Sequence, residues 1–394
     1  MLVQFSFKNF LSFKEENTID MTAINAYKEH EYNLIDLKKE KFLRVAAIYG
    51  ANASGKSNFI LAYDSFRSIV IKSSNNVAND EENIIESKYC PFGFDEENIE
   101  YQIISIIDDN EYKYGFEFNE EKIASEWLYK KDLKTNRTII IFEREGNEKI
   151  KFGASVRKEC EVFGEQVMPE TLVLSFFYRL KNLKTTIFKQ LYYEITEILA
   201  CSSEVFEDKC LLDKFVPIMI DKEKQELLEF FDAIDTGIKD IYYEMEKNAP
   251  EIYTVHKEKD GKKYELPLYA ESEGTIKCIA VYMFAKAAIR QNKVLFIDEL
   301  NSKLHPLLLK FIVDLFYNKN STAQLIYTTH DTTLLDKKFF RRDQLWFVQK
   351  DEFGCSQLYA LSDFKVRSDA SFEKDYLSGV YGGIPLLKDF EIKG

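Results

Sequence analysis

The chain has 394 residues, enough for two or three structural units or one elaborated α/β domain. Hydrophobic residues make up 45% and charged residues 30%, a balance that excludes a disordered chain and supplies a large core. Lys and Arg number 53 against 66 Asp and Glu, so the net charge of −13 argues against general nucleic-acid binding while leaving room for a local basic groove.

The alternation of Val3, Phe5 and Phe7 with Gln4, Ser6 and Lys8 predicts a strand at the start. Residues 42–49 (FLRVAAIY) read as one short buried strand that runs into a Gly-rich turn, and Asn58 to Ile71 as the helix after it. Ser73 to Asn83 is Asn-rich and reads as a loop. Tyr101–Ile107, Tyr112–Phe118 and Thr138–Arg144 read as antiparallel strands, with Asp108, Asp109 and Asn110 as a turn. From Pro169 the texture is helical. Over Lys222–Lys247, Leu227, Phe230, Phe231, Ile234, Ile238 and Ile241 fall on one face of an amphipathic helix, either packed in a helical subdomain or open to a partner. After Pro267 the α/β texture returns.

The six cysteines, Cys90, Cys160, Cys201, Cys210, Cys278 and Cys355, include no C-x-x-C pair, which excludes zinc-ribbon and thioredoxin-type sites and suits reduced thiols in a cytosol. The longest apolar stretch, Cys278–Ile289, falls short of the ~18 residues of a membrane span and carries Lys286. Gln4, Lys8 and Asn9 break up Met1–Phe10, so no signal peptide is expected. The expectation is a cytoplasmic protein with no membrane partner.

Four segments carry chemistry. Residues 50–57 read G-x-x-x-x-G-K-S between a predicted strand and a predicted helix, the context a phosphate-binding P-loop requires. Gly50 and Gly55 let the backbone N–H groups curl inward, the helix start adds its positive dipole end, Lys56 reaches the β- and γ-phosphates, and Ser57 can ligate Mg²⁺. Residues 294–299 (VLFIDE) read as a buried strand ending in Asp298, suited to hold Mg²⁺ through water, and Glu299, suited to polarise an attacking water. Gln324–Thr329 reads as another buried strand, ending in His330, a γ-phosphate sensor. Ser272, Glu273, Gly274 and Thr275 suit a helix start, either a plain cap or a phosphate-contacting serine with Gly274 permitting close backbone approach.

The order of P-loop, Ser-x-Gly before a helix, VLFIDE and a strand ending in His resembles the head domain of ABC-type ATPases. GANASGKSN, with Asn52 and Asn58, is similar to the SMC and RecF branch. VQFSFKNFLSFKEE, YKYGFEFNEEKIASEWLY, DELNSKLHPLL and QLIYTTHDTTLLD resemble bacterial ABC-type ATPases, many from anti-phage or abortive-infection systems, including PARIS-like and AbiL-like pairs. The resemblance implies an α/β P-loop head with an N-terminal antiparallel β subdomain and an inserted helical subdomain. Its parts would be an ATPase lobe over 1–165 with the Walker A motif, a mainly helical insertion over 166–265, and a C-terminal lobe over 266–394 with signature, Walker B and switch His.

It also implies ATP and Mg²⁺ as cofactors. Gly50, Ala51, Asn52, Ala53, Ser54, Gly55, Lys56, Ser57 and Asn58 would hold the nucleotide, Ser57 and Asp298 the metal, and Glu299 and His330 would catalyse hydrolysis. Ser272, Glu273 and Gly274 would act in trans on a second copy, in a head-to-head dimer closed by ATP. The signature reads SEGT where S-G-G-Q is common, Gln102 is the candidate Q-loop glutamine, and Val380 stands where the group often has Arg. Residues 331–394 are too few for a complete Toprim nuclease core, so a separate effector such as a nuclease is the expected partner. Two other classes compete. A RecF-like DNA-repair ATPase would use Arg179, Lys181, Lys184 and Lys189 as a basic strip, and a non-catalytic scaffold would not need Asp298, Glu299 and His330.

Overall fold

The computed structural model describes residues 1–37, 40–74, 83–93, 97–146, 148–247, 249–367 and 370–385. Six strands make the sheet that carries the motifs. Their order is Leu199–Cys201, Val294–Ile297, Gln324–Thr329, Val45–Gly50, Leu345–Lys350 and Ser356–Ala360. Neighbours are parallel except the last pair. A parallel sheet must be covered on both faces, which is why VAAIYG and VLFI are buried at every position. Successive side chains feed two different cores. Ala46, Ile48, Phe296 and Ile326 enter one, and Val45, Ala47, Leu295 and Tyr327 enter the other.

The first core holds the helix Lys56–Lys72, clamped between this sheet and a second one. Tyr63 stacks on Phe296 at 4.5 Å on one side, and Phe66 stacks on Phe116 at 5.6 Å on the other. Each ring so buried contributes roughly 2–3 kcal/mol. The second sheet is antiparallel, with strands ordered Lys151–Phe152, Arg137–Glu145, Ile123–Asp132, Asn110–Phe118, Ile99–Ile107, Leu2–Lys8 and Asn17–Asp20. The strand Ile123–Asp132 escaped the sequence reading because Glu126 and its Lys residues mask the alternation. Glu126 is fully buried and accepts N–H groups from Val173 (2.6 Å) and Leu174 (3.1 Å) and the Tyr114 hydroxyl (2.9 Å). It thereby caps the helix Val173–Arg179 from across the core.

Two expected elements divide differently. The 42–49 strand breaks at Arg44 into Glu40–Leu43, paired antiparallel with Leu34–Leu37, and Val45–Gly50 in the central sheet. The buried Arg44 guanidinium donates to the carbonyls of Leu34 and Ser321, which fixes the switch between the two sheets. The expected helix over 222–247 is a helix over Lys209–Ala233, with a non-helical residue at Glu223. Asp235 (φ 53°) and Gly237 (φ 75°) then turn the chain into Asp240–Glu246, which pairs with Ala249–Lys257, itself paired with Lys263–Pro267. Ile238 and Ile241 enter the same core from the turn and the strand, so their helical spacing was misleading. The span 166–265 thus carries a three-stranded sheet as well as helices. Of the expected 73–83 loop, residues 75–82 lie outside the described residues. All six cysteines are unpaired. No described helix is long and apolar enough to cross a membrane.

Candidate nucleotide site

The strand Val45–Gly50 delivers the chain into a tight loop. A Cβ at Gly50 would lie 2.6 Å from both Ser54 Oγ and the Val348 carbonyl, so only glycine fits. Gly55, at φ 114°, immediately precedes the helix that Lys56 begins. Lys56 is buried, and its ammonium donates to the carbonyls of Gly50 (2.9 Å) and Ala51 (3.0 Å). Burial lowers its pKa, and the nearby carboxylates of Glu299 and Asp298 work in the opposite direction. Ser54 Oγ is buried without a hydrogen-bond partner among the described residues, an orphaned polar atom inside the loop. Two serines brace the loop from outside. Ser356 Oγ donates to the Ser54 carbonyl (2.6 Å) and lies 2.8 Å from Ser12 Oγ, which accepts from Asn58 Nδ2 (2.8 Å).

The carboxylates follow the neighbouring strands. One threonine fixes both: Thr328 Oγ1 donates to Asp298 Oδ1 (2.5 Å) and accepts from the Glu299 amide (2.8 Å). Glu299 sits at φ 50°, the left-handed region that a non-glycine residue enters only when its surroundings hold it. Lys277, buried in the helix Glu273–Gln291, supplies part of that hold by donating to the Glu299 carbonyl (2.9 Å) and to Ser302 Oγ (2.5 Å). The half-exposed His330 places Nδ1 3.4 Å from Glu299 Oε2. Asn301 Nδ2 lies 3.2 Å from His330 Nε2, while its oxygen accepts from Thr329 Oγ1 (2.8 Å).

These parts meet in an open groove of about 620 Å³, lined by Asn52, Ala53 and residues 55–58 of the loop together with Glu299, His330 and Lys350. The structure therefore gathers the P-loop, Glu299 and His330. Asp298 lies behind them, nearly buried against Thr328. Ser272, Glu273 and Gly274 are not in the groove lining. Ser272 caps its helix through the Thr275 amide (3.1 Å), Glu273 pairs with Lys303 (3.4 Å), and a Cβ at Gly274 would lie 2.7 Å from the Lys303 carbonyl. Gln102 is paired between Ser6 and Gly115 in the antiparallel sheet and does not line the groove. Val380 is exposed on the segment that brings Tyr381 onto Phe347. Arg179 of the basic strip donates to the Ser74 carbonyl (2.8 Å).

Sequence reasoning missed Thr328, Asn301, Lys277 and Lys350. The hydroxyls of the TTH run and a lysine within an apolar helix were the available signals; nothing local marks Lys350. Among the described residues no three His, Cys, Asp or Glu side chains converge as a metal cage. The donor set, one hydroxyl (Ser57) and one carboxylate (Asp298), fits Mg²⁺, which keeps several waters and takes phosphate oxygens rather than a full protein shell.

Fold and groove together define an α/β P-loop protein with an N-terminal antiparallel β subdomain. Residues 45–336 match the family described as "AAA domain, putative AbiEii toxin, Type IV TA system", and the chain belongs to that family. No curated protein matches the chain. Solved structures similar to it include an SMC head bound to the C-winged helix domain of ScpA, at 14% identity and a TM-score of 0.44, covering 95% of this chain and 99% of that one. Another is the SMC head domain from Thermotoga maritima, at 14% identity and a TM-score of 0.38, covering 91% and 98%.

Proposed function

We propose that the chain binds ATP with Mg²⁺ and hydrolyses it, and that ATP closes two copies head to head as a switch for a separate effector, such as a nuclease, in anti-phage defence. The observation that carries this reading is the convergence of Lys56, Glu299 and His330 on one groove. In the bound state the loop amides and Lys56 face the phosphates, the ammonium exchanging the Gly50 and Ala51 carbonyls for β- and γ-phosphate oxygens. Ser57 and Asp298 would hold Mg²⁺, which would supply positive charge to offset that of the phosphates. Glu299, aimed by Thr328 and Lys277, orients the attacking water and accepts its proton, and His330 contacts the γ-phosphate.

The exposed Ser272 segment, lying outside its own chain's groove, supports completion of the site by a second copy. The described part of residues 331–385 adds two strands to the central sheet and a short helix. A family description naming a putative toxin system agrees with a defence role. The test is Glu299→Gln against Lys56→Ala. The first should bind Mg·ATP yet release no phosphate, and the second should bind none. Phosphate release at the parent rate by either variant refutes the assignment.

A further inference from the structure

Resting on that nucleotide reading, we infer that Lys350 is a second cation for the polyphosphate chain, on the flank of the P-loop opposite Glu299 and His330. The sheet order sets the geometry. The strands leading to Glu299 and His330 lie on one side of Val45–Gly50, and Leu345–Lys350 lies on the other. Val348 is in register with Gly50, so Lys350 stands two residues beyond the point where the P-loop leaves the sheet.

The strand end is fixed there by four links. Lys350 pairs across the hairpin with Ser356, and Ser356 Oγ donates to the Ser54 carbonyl within the P-loop (2.6 Å). Gln349 accepts from the Gly383 amide (3.3 Å) and the Tyr359 hydroxyl (3.2 Å). Strand alternation therefore sends Lys350 away from the Gln349 contacts, and Lys350 lines the groove.

No ion pair or hydrogen bond engages the Lys350 ammonium among the described residues. The adjoining Asp351 carboxylate accepts the amides of Phe353 (2.9 Å) and Cys355 (2.8 Å), closing the hairpin turn. In a chain of net charge −13, an unpaired ammonium held at a phosphate-binding loop is matched to an anion. A lysine acts as a point charge on a flexible stem, which suits a polyphosphate rather than a base edge.

The test uses the full chain and equilibrium binding of Mg·ATP and of inorganic tripolyphosphate. Lys350→Met keeps the stem and removes the charge. It should weaken both ligands about tenfold, the size of one charge-assisted contact, and reduce the salt dependence of binding. Lys350→Arg should retain most of the affinity. A Lys350→Met chain that binds both ligands with parental affinity and salt dependence, while Lys56→Ala binds neither, overturns this inference and leaves the P-loop reading standing. Loss of ATP affinity with tripolyphosphate unchanged also overturns it, in favour of a contact to base or ribose. Parental binding by Lys56→Ala would remove the nucleotide reading and this inference together.

Discussion

Glu126 should make the stability of the protein fall as pH rises from 4.5 to about 7. Burial of this carboxylate raises its pKa to about 7 from an ordinary 4.5, against the opposing pull of Arg144, the Leu174 and Val173 amides and the Tyr114 hydroxyl. The native state therefore holds a proton that the unfolded chain releases between those two values. Its contribution is fully present below pH 4.5 and is lost as pH rises through about 7. At about 1.4 kcal/mol per pKa unit, the full loss amounts to about 3.5 kcal/mol. Glu126→Gln removes the titration and leaves the side chain nearly isosteric. Urea unfolding of parent and variant at pH 5 and pH 8 isolates the effect, because every other titrating group is common to both. Relative to the variant, the parent should lose about 2.5 kcal/mol between the two pH values, since part of the loss is already complete at pH 5. A difference that stays flat would mean that the helix amides and Arg144 hold the carboxylate ionised in spite of its burial.

Thr328→Val keeps the side-chain shape but removes the hydroxyl that orients Asp298 and Glu299; ATP turnover should fall by at least about tenfold with the fold intact, as read from phosphate release beside a thermal melt. Ser272→Arg should leave nucleotide binding to the single chain unchanged and abolish cooperative hydrolysis. Mixed with Lys56→Ala it should restore part of the activity, because the intact loop and the intact signature come from different copies. Background rates in proven heterodimers would place the whole site within one chain.

How much of this was legible in the sequence depends on how local each signal is. The P-loop and the two buried strands before Glu299 and His330 were readable because their chemistry requires contiguous residues, and the Ser272 cap because a cap is a local hydrogen bond. The break at Arg44 was not, because its cause is a pair of carbonyls, one of them at Ser321, far along the chain. The false helix over 234–247 arose because a core accepts Ile238 and Ile241 from any backbone that presents them. Lys350 was invisible for a related reason: its place beside the loop follows from strand order, which no local pattern encodes.

The segment after Glu299 is held by contacts from a helix outside the groove. Residues 299–303 include two left-handed positions, Glu299 at φ 50° and Lys303 at φ 60°, and neither is glycine. Such strain costs on the order of 1–3 kcal/mol per residue and persists only under outside constraint. Part of the constraint comes from the helix that Ser272 caps: Lys277 bonds the Glu299 carbonyl, Glu273 pairs with Lys303, and Gly274 lets the Lys303 carbonyl approach. That helix start is anchored in turn, since Glu271 accepts from Thr254 Oγ1 (2.5 Å) and bonds His256 Nε2 (2.6 Å) on the three-stranded sheet. Ser272 is therefore linked to the backbone of Glu299 through Lys277, and to that of Lys303 through Gly274. The backbone of Glu299 is thus tied to a helix start that does not line its own groove.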